Sequence, residues 1–369
     1  MDFHVFSLRF KGPLHISGRA TDSLIYPDKT IHSDTLSAAF AHALAMTGML
    51  GNNDEEIAGG VLRFLSELPI SSAFPYIKVV DEGGTAFHHF FPRPLSFVLS
   101  DAPEYRKKAK KVKWLSQPLF ERIIYTGEKI PAEEMAFAGE AAGRADEPEA
   151  VISGVSELIV ADDRLRVKLA RHSTVEKRSD PYPITQVWFS RREKEGRRYE
   201  SGLYFLVPAD VPNELLMQVR SALTVLGDLG LGSDRAVGLG AFEWEERPLS
   251  LSTLLSEEAV TWLNLGMCIP PRQAWQEGTF VPKAYQLRYR SGWITSPRFL
   301  NVRRRSVYML DEAGLFRLKS DASHAYSFEG AVVDLTPRRL NDPSKYAIEG
   351  MHPVYRSGKT ILIPTKLNA

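Results

Sequence analysis

The stretch Gly230-Leu231-Gly232-Ser233-Asp234-Arg235-Ala236-Val237-Gly238-Leu239-Gly240 constrains this chain more than any other. It sets a pair of glycines at each end of a polar centre, and glycine permits positive φ and close approach by another backbone. Before it, Pro212 opens a segment whose residues Leu215, Val219, Leu223 and Leu226 recur at helical spacing. After it, Ala241–Glu245 alternates through Phe242 and Trp244 as a strand does. The loop therefore joins a helix to a strand, and its amides, with Arg235, offer contacts to phosphate or to a partner helix. A tight turn without any ligand is the competing reading of the same glycines. Two nucleotide loops are excluded. A dinucleotide fingerprint follows a strand, opens a helix, and needs glycine where Arg235 stands. The tail Ser357-Gly358-Lys359-Thr360 resembles the end of a P-loop, which needs glycine at Pro353 and a helix in place of Ile361-Leu362-Ile363-Pro364.

Around this loop the chain alternates strand and helix. Residues 3–10 read as a strand buried on one face, with Phe6, Leu8 and Phe10 inward and Val5, Ser7 and Arg9 outward. Residues 12–29 read as a long loop. A helix is expected over 33–47, with stripe Leu36, Phe40, Ala43 and Leu44, Ser33 as its cap and Gly48 as its stop. Strands are expected over 73–80 and 87–91, then at Leu203–Val207. Residues 127–150 are rich in Glu, Ala and Gly without periodicity, which predicts a mobile insertion. Beyond Arg247 the pattern shortens to strands at 263–269, 284–289, 307–310 and 315–318, the last two as a hairpin, with a closing hairpin over 354–364. The order up to Arg247 fits a ferredoxin-like α+β unit of RNA-recognition type, interrupted by an insertion at about 100–200. Residues 248–369 form a second, smaller β-rich domain.

Lys and Arg total 46 against 45 Asp and Glu, so any contact with nucleic acid must come from local patches. A single cysteine, Cys268, excludes a disulfide framework and a cysteine-based zinc site, and suits a cytoplasmic protein. No signal peptide or membrane span is read, and no cofactor is called for. From Lys283 to Arg305 seven basic residues occur without an acidic one, interleaved with Tyr285, Tyr289, Trp293 and Phe299. Basic groups among aromatics suit single-stranded RNA. The run Arg106–Lys113 reads as a solvated face or a protein interface, and His88-His89 lacks partners at metal-ligand spacing.

A glycine-rich loop between the last helix and last strand of a ferredoxin-like unit resembles the signature of the RAMP superfamily of CRISPR-associated proteins. Within it, several stretches are similar to the fourth Csm subunit of type III-A effector complexes: Leu8-Arg9-Phe10-Lys11-Gly12-Pro13-Leu14-His15, Ile31-His32-Ser33-Asp34-Thr35-Leu36, Ser72-Ala73-Phe74-Pro75-Tyr76, Phe91-Pro92-Arg93-Pro94-Leu95 and His352-Pro353-Val354-Tyr355-Arg356. The resemblance fades between about 100 and 200. It implies a non-catalytic subunit of an antiviral and anti-plasmid defence complex. Such a subunit holds the repeat-derived 5′ tag of the guide RNA (crRNA), contacts the large palm-domain subunit and adjoins a RAMP backbone subunit, one copy per hetero-oligomer. It implies a smaller C-terminal domain that is a degenerate ferredoxin-like unit.

The candidate RNA-binding residues are Arg9, Lys11, His15 and Arg19 near the first strand, His32 and Ser33 at the mouth of the first helix, and Gly230, Gly232, Ser233, Arg235, Gly238 and Gly240 in the loop. Arg290 and Arg303 stand for the basic-aromatic stretch. Helix N-termini bind phosphate well, although the Asp34 charge opposes it. The alternative is a RAMP endoribonuclease, processing guide RNA through His15 and His32 or slicing target RNA through Asp22 or Asp28. His32-Ser33-Asp34-Thr35-Leu36-Ser37-Ala38 departs from the Pro-Gly-Ser-Ser-Leu-Lys-Gly-like opening of slicing backbone subunits. A small-molecule enzyme is the third class, and no catalytic constellation supports it.

Overall fold

The computed structural model describes residues 1–16, 29–100, 102–167, 181–254, 258–294, 296, 299, 302–318 and 330–368. It begins with β1 (Asp2–Phe10), α1 (Ser33–Met46), α2 (Asp54–Glu67), β2 (Phe74–Asp81) and β3 (Gly84–Pro92). An insertion follows: α3 (Pro103–Lys111), β4 (Trp114–Ser116), α4 (Gln117–Thr126), β5 (Met135–Ala138), β6 (Ala141–Arg144), α5 (Glu149–Glu157), β7 (Ile159–Val167), β8 (Pro181–Phe189) and β9 (Arg191–Lys194). Then β10 (Arg197–Pro208), α6 (Asn213–Leu229) and β11 (Phe242–Ser250) close the unit. The sheet runs β11-β1-β10-β2, each neighbour antiparallel. That is the fourth-first-third-second strand order of a βαββαβ, ferredoxin-like unit.

The first strand is buried on both faces, not one. Phe6, Leu8 and Phe10 pack with α1, α2 and α6 through Leu36, Phe40, Phe64, Val219 and Leu223. On the other face Phe3 and Val5 join Tyr204, Leu206 and Phe74 beneath the insertion and the C-terminal strands. Alternation along β1 gives the correct inward set, but a second layer cannot be read from one strand.

The insertion is built structure. β4 pairs β3, β6 runs parallel to β4, and β5 closes the far edge. Helices α4 and α5 bury Phe120, Ile123, Val151 and Ile152 against this extension. Residues 127–150, expected to be mobile, contain β5 and β6. Their four-residue length and Ala- and Gly-rich sequence show no period of two, and burial of Ala141 and Ala142 holds them in place.

The remaining elements are β12 (Thr261–Asn264), α7 (Arg272–Gln276), β13 (Phe280–Ala284), β14 (Leu287–Arg290), β15 (Val307–Leu310), β16 (Leu315–Leu318), β17 (Val332–Asp334), β18 (Tyr355–Ser357) and β19 (Leu362–Thr365). They form a sheet β13-β16-β12-β19 with two flanking strand pairs, β14-β15 and β17-β18. Neither expected hairpin forms: β15 pairs β14 while β16 pairs β12 and β13, and β18 pairs β17 while β19 pairs β12. Short strands take distant partners here because apolar burial, not turn chemistry, sets the pairing. Leu263, Leu315, Ile361 and Ile363 enter the same core as Phe74, Phe91 and Phe120. The chain changes character near residue 247 while the core runs through. Among the described residues no helix is long and apolar enough to cross a membrane.

Because that core is shared, Ile363→Ala is expected to lower stability by about 2–5 kcal/mol. Denaturant unfolding followed by tryptophan fluorescence and by far-UV circular dichroism should show one transition, displaced equally in both. Separate transitions, with only one displaced, would show that the C-terminal strands fold independently.

Candidate nucleic-acid interface

In the glycine-rich loop the glycines serve backbone approach. Gly230, at φ 81°, ends α6 and donates its amide to Leu226 O at 2.7 Å. The Leu231 amide then donates to Gly240 O at 3.0 Å, closing the neck. A Cβ on Gly240 would lie 1.9 Å from Leu231 O, so no side chain fits there. The loop also leans on the segment after β1: Ser233 N donates to His15 O at 2.9 Å and Gly240 N to Pro13 O at 3.0 Å. A Cβ on Gly232 would stand 2.5 Å from His15 O. The outer turn, Ser233 to Gly238, is largely exposed, and Arg166 of β7 pairs with Asp234 at 2.9 Å. The neck is thus a tight connection, and its tip presents Arg235.

Arg235 faces a cleft of about 630 Å³. One wall is α1 and α2, a shelf of small and apolar residues that includes Ala38, Ala39, Ala45, Ile57 and Val61, with His42 among them. The opposite wall carries Trp293, Arg304, His352, Tyr355 and Arg356. Trp293 is 54% exposed and carries the Arg303 guanidinium 4.7 Å from its ring. The apolar shelf beside an aromatic face and several guanidiniums matches what an unstacked nucleotide needs.

The charge of this cleft is set by a buried carboxylate. Asp34, fully buried in the first turn of α1, receives Arg290 Nε at 2.8 Å and Arg290 Nη2 at 3.0 Å, and Arg356 pairs with the same oxygen as Arg290 Nε. Two buried guanidiniums meet one carboxylate, and Arg304 stands near with its Nη2 on Ser291 O at 2.7 Å. Burial pulls Arg356 down to about 10. Burial, then the neighbouring Arg290, does the same to Arg304. Both stay protonated at neutral pH, and among the described residues the Nε atoms of both are buried without a hydrogen-bond acceptor. The cleft wall is therefore lined with guanidiniums held in place around Asp34.

A second polar clasp lies behind it. His32 Nδ1 sits 2.7 Å from Glu312 Oε1, and Ser72 Oγ donates to the same oxygen. Burial alone would raise Glu312, but the facing His32 together with Asp311 and Ser72 holds it well below the usual carboxylate range. Ligand atoms of His32, Asp311 and Glu312 lie within 4.8 Å of one another. Arg288 already binds both Asp311 oxygens, at 2.8–3.0 Å, so the group functions as a clasp between α1, β2 and the β15–β16 turn. His89, of the His88-His89 pair, is buried edge-on to Tyr204, and burial drives its pKa down to about 4.

The candidates from sequence separate accordingly. Arg235, Gly230, Gly232 and Ser233 line the cleft, and Gly238 and Gly240 complete the loop. Arg303 reaches it through Trp293. Arg290 acts beneath it as an Asp34 partner. His15, His32 and Ser33, offered as RNA contacts, are instead buried at 2%, 2% and 1% exposure. His15 Nδ1 is bonded to Thr185 O at 2.6 Å. The Ser33 hydroxyl accepts from Met267 N at 2.8 Å and its amide donates to Ser72 Oγ at 2.9 Å. Ser33 is thus inside α1, with His32 at the cap position making no side-chain cap bond. Arg9 and Lys11 pair with Glu243 on the neighbouring strand, outside the cleft. Arg19, Asp22 and Asp28 lie outside the described residues. Sequence reasoning missed His42, Arg304 and Arg356 as site residues. The signal for His42 was present: Thr35, Ala38, Ala39, His42, Ala45 and Met46 form a second helical stripe beside the apolar one.

Residues 257–365 match the CRISPR Csm4 C-terminal domain family. Over 307 residues the chain is 26% identical to the CRISPR system Cms protein Csm4 of Thermococcus onnurineus (strain NA1), covering 79% of this chain and 86% of that one. It superposes, at TM-score 0.56 and 17% identity, on a chain from the crystal structure of a Csm3–Csm4 subcomplex in the type III-A CRISPR-Cas interference complex, covering 99% of this chain and 100% of that one. The chain thus shares its fold with that solved Csm3–Csm4 structure. It is similar to Csm4 over most of its length, and its residues 257–365 match the C-terminal domain of that family.

Burial, and secondly the Arg235 charge, lower the pKa of His42 below 6.5. The folded state therefore binds that proton less readily than the unfolded chain, and stability falls as pH drops through the unfolded value near 6.5. NMR titration should place His42 below the ordinary histidine value and move it upward in Arg235→Ala. A His42 pKa that does not move in Arg235→Ala would mean that Arg235 does not face α1 across the cleft.

Proposed function

We propose that this chain is the non-catalytic subunit of a type III-A effector complex that holds the 5′ repeat-derived tag of the guide RNA in the cleft between α1, α2 and the glycine-rich loop. The observation that carries the proposal is the convergence of arginines on the cleft wall beside Asp34. Arg290 and Arg356 meet one carboxylate, and among the described residues the Nε donors of Arg304 and Arg356 have no acceptor. A phosphate group is the natural complement of such a guanidinium cluster. Trp293 and Tyr355 then provide aromatic surface for bases over the alanine shelf. The burial of His15 and His32 supports the non-catalytic reading over guide processing, because a general acid and base must reach the RNA. Contact with the large palm-domain subunit and with an adjacent RAMP backbone subunit belongs to the same proposal, supported by kinship with a protein solved as a Csm3–Csm4 subcomplex.

The test is recovery of RNA from the assembled complex. Complex purified through this chain should carry small RNAs of uniform 5′ end beginning with a repeat-derived tag. Arg235→Ala and Trp293→Ala, both at the cleft surface, should reduce RNA recovered per complex about tenfold or more, the loss of one or two contacts of 1–3 kcal/mol. Full RNA occupancy in both variants would remove the cleft from tag binding. Loss of target cleavage with RNA occupancy intact would reassign the chain as catalytic.

A further inference from the structure

Helix α3 lies at the other end of the long sheet from the glycine-rich loop. The sheet order β11-β1-β10-β2-β3-β4-β6-β5 puts β11, which the loop enters, at one edge and β5 at the other. Seven strand spacings of about 4.8 Å separate those edges by roughly 30–35 Å. α3 packs on the β5 edge through Tyr105, whose ring centroid is 5.8 Å from that of Phe137. Tyr105, Ala109 and Val112 form its inward stripe, with Ala109 and Val112 buried. Everything else on the helix is exposed, and it includes Arg106, Lys107, Lys108, Lys110 and Lys111.

None of these five cations has an ion pair or side-chain hydrogen bond among the described residues. Two acids flanking β5 are engaged elsewhere: Glu140 with Lys29 and Lys113, and Glu134 with Arg122. Glu104, in the first turn, is the only acid within α3. In a chain whose Lys and Arg outnumber its Asp and Glu by 46 to 45, such clustering creates a local field that the global charge conceals.

Two kinds of macromolecule could complement that field, an acidic protein surface or a nucleic-acid backbone. Lysine is depleted at the cores of protein–protein interfaces, where ordering its long stem and desolvating its ammonium are unfavourable. Four of the five cations are lysines, and the one aromatic of the helix is turned inward on Phe137. The surface therefore has point charges for phosphate and no platform for bases. We propose that α3 is a sequence-independent contact for the phosphodiester backbone of a single nucleic-acid strand, separate from the guide tag, which runs past the β5 edge of the assembled complex. This surface stands on its own geometry and does not depend on the tag assignment.

The test uses the assembled complex with its own guide RNA and a variant, Lys107→Gln with Lys108→Gln and Lys111→Gln, all exposed positions. A control removes three exposed cations elsewhere, at Arg191, Lys194 and Arg272. Affinity for labelled 30-nucleotide mixed-sequence RNA and DNA unrelated to the guide is measured across a salt series. Loss of three phosphate contacts should lower the slope of log K against log salt by about 2 and weaken binding about tenfold or more near 0.15 M salt. The control should behave as the parent. An effect on RNA alone, or on DNA alone, identifies the strand, and either supports the proposal. Equal slopes for variant and parent, or a parent complex that binds neither strand, overturn it. Loss of other subunits from the variant complex, with its slope unchanged, makes α3 a protein contact and also overturns it.

Discussion

The buried carboxylate of Asp34 is the interaction on which the rest of this structure depends. It sits where the first helix begins, and two arginines from the C-terminal third of the chain, Arg290 and Arg356, converge on it from β14 and β18. A buried ion pair broken on one side is costly, because the remaining charge is left without solvent or partner. Docking the C-terminal strands on the ferredoxin-like unit is therefore specific in position as well as favourable in area. Hydrophobic burial at Leu263 and Ile363 supplies adhesion, and Asp34 fixes register. The His32–Glu312 and Arg288–Asp311 pairs add a second polar tie close by.

The same pairing places arginines at the cleft wall. Asp34, from sequence an unwelcome neighbour for phosphate, is in the structure the anchor on which Arg290 and Arg356 converge. The glycine-rich loop forms the facing wall without contributing much charge beyond Arg235. Its glycines permit the loop neck and the segment after β1 to touch backbone to backbone.

How much of this was legible in the sequence follows from which interactions are local. The succession of elements in the ferredoxin-like unit, the limits of α1 and α6 and the placing of the glycine-rich loop all rest on short-range periodicity. They emerged within a few residues of their observed ends. Helix α2 went unread although its start is marked: Asn53 accepts from Glu56 N while Glu56 accepts from Asn52 N. The short strands β5 and β6 carry no periodic signal, and the C-terminal pairings join residues far apart in the chain. Most important, the polarity of His15, His32 and Ser33 suggested exposure, yet each is buried against a partner that only the folded chain brings near. Arg304 and Arg356 were visible as basic residues. That they line the same cleft as Arg235 depends on the Asp34 contact, which no spacing rule encodes.

The cleft is drawn from both ends of the polypeptide: α1 near the start, the loop at 230–240, Trp293, and finally Arg356. During synthesis the first wall would be complete long before the last. At translation rates of about 5–20 residues per second, Arg356 follows Arg235 by roughly 6–25 s. Arg290 emerges about midway through that interval, and until its end Asp34 lacks Arg356 and the cleft lacks its last wall. Closure of the cleft is thereby deferred until the chain is nearly finished, so a chain truncated before Arg356 lacks a complete cleft.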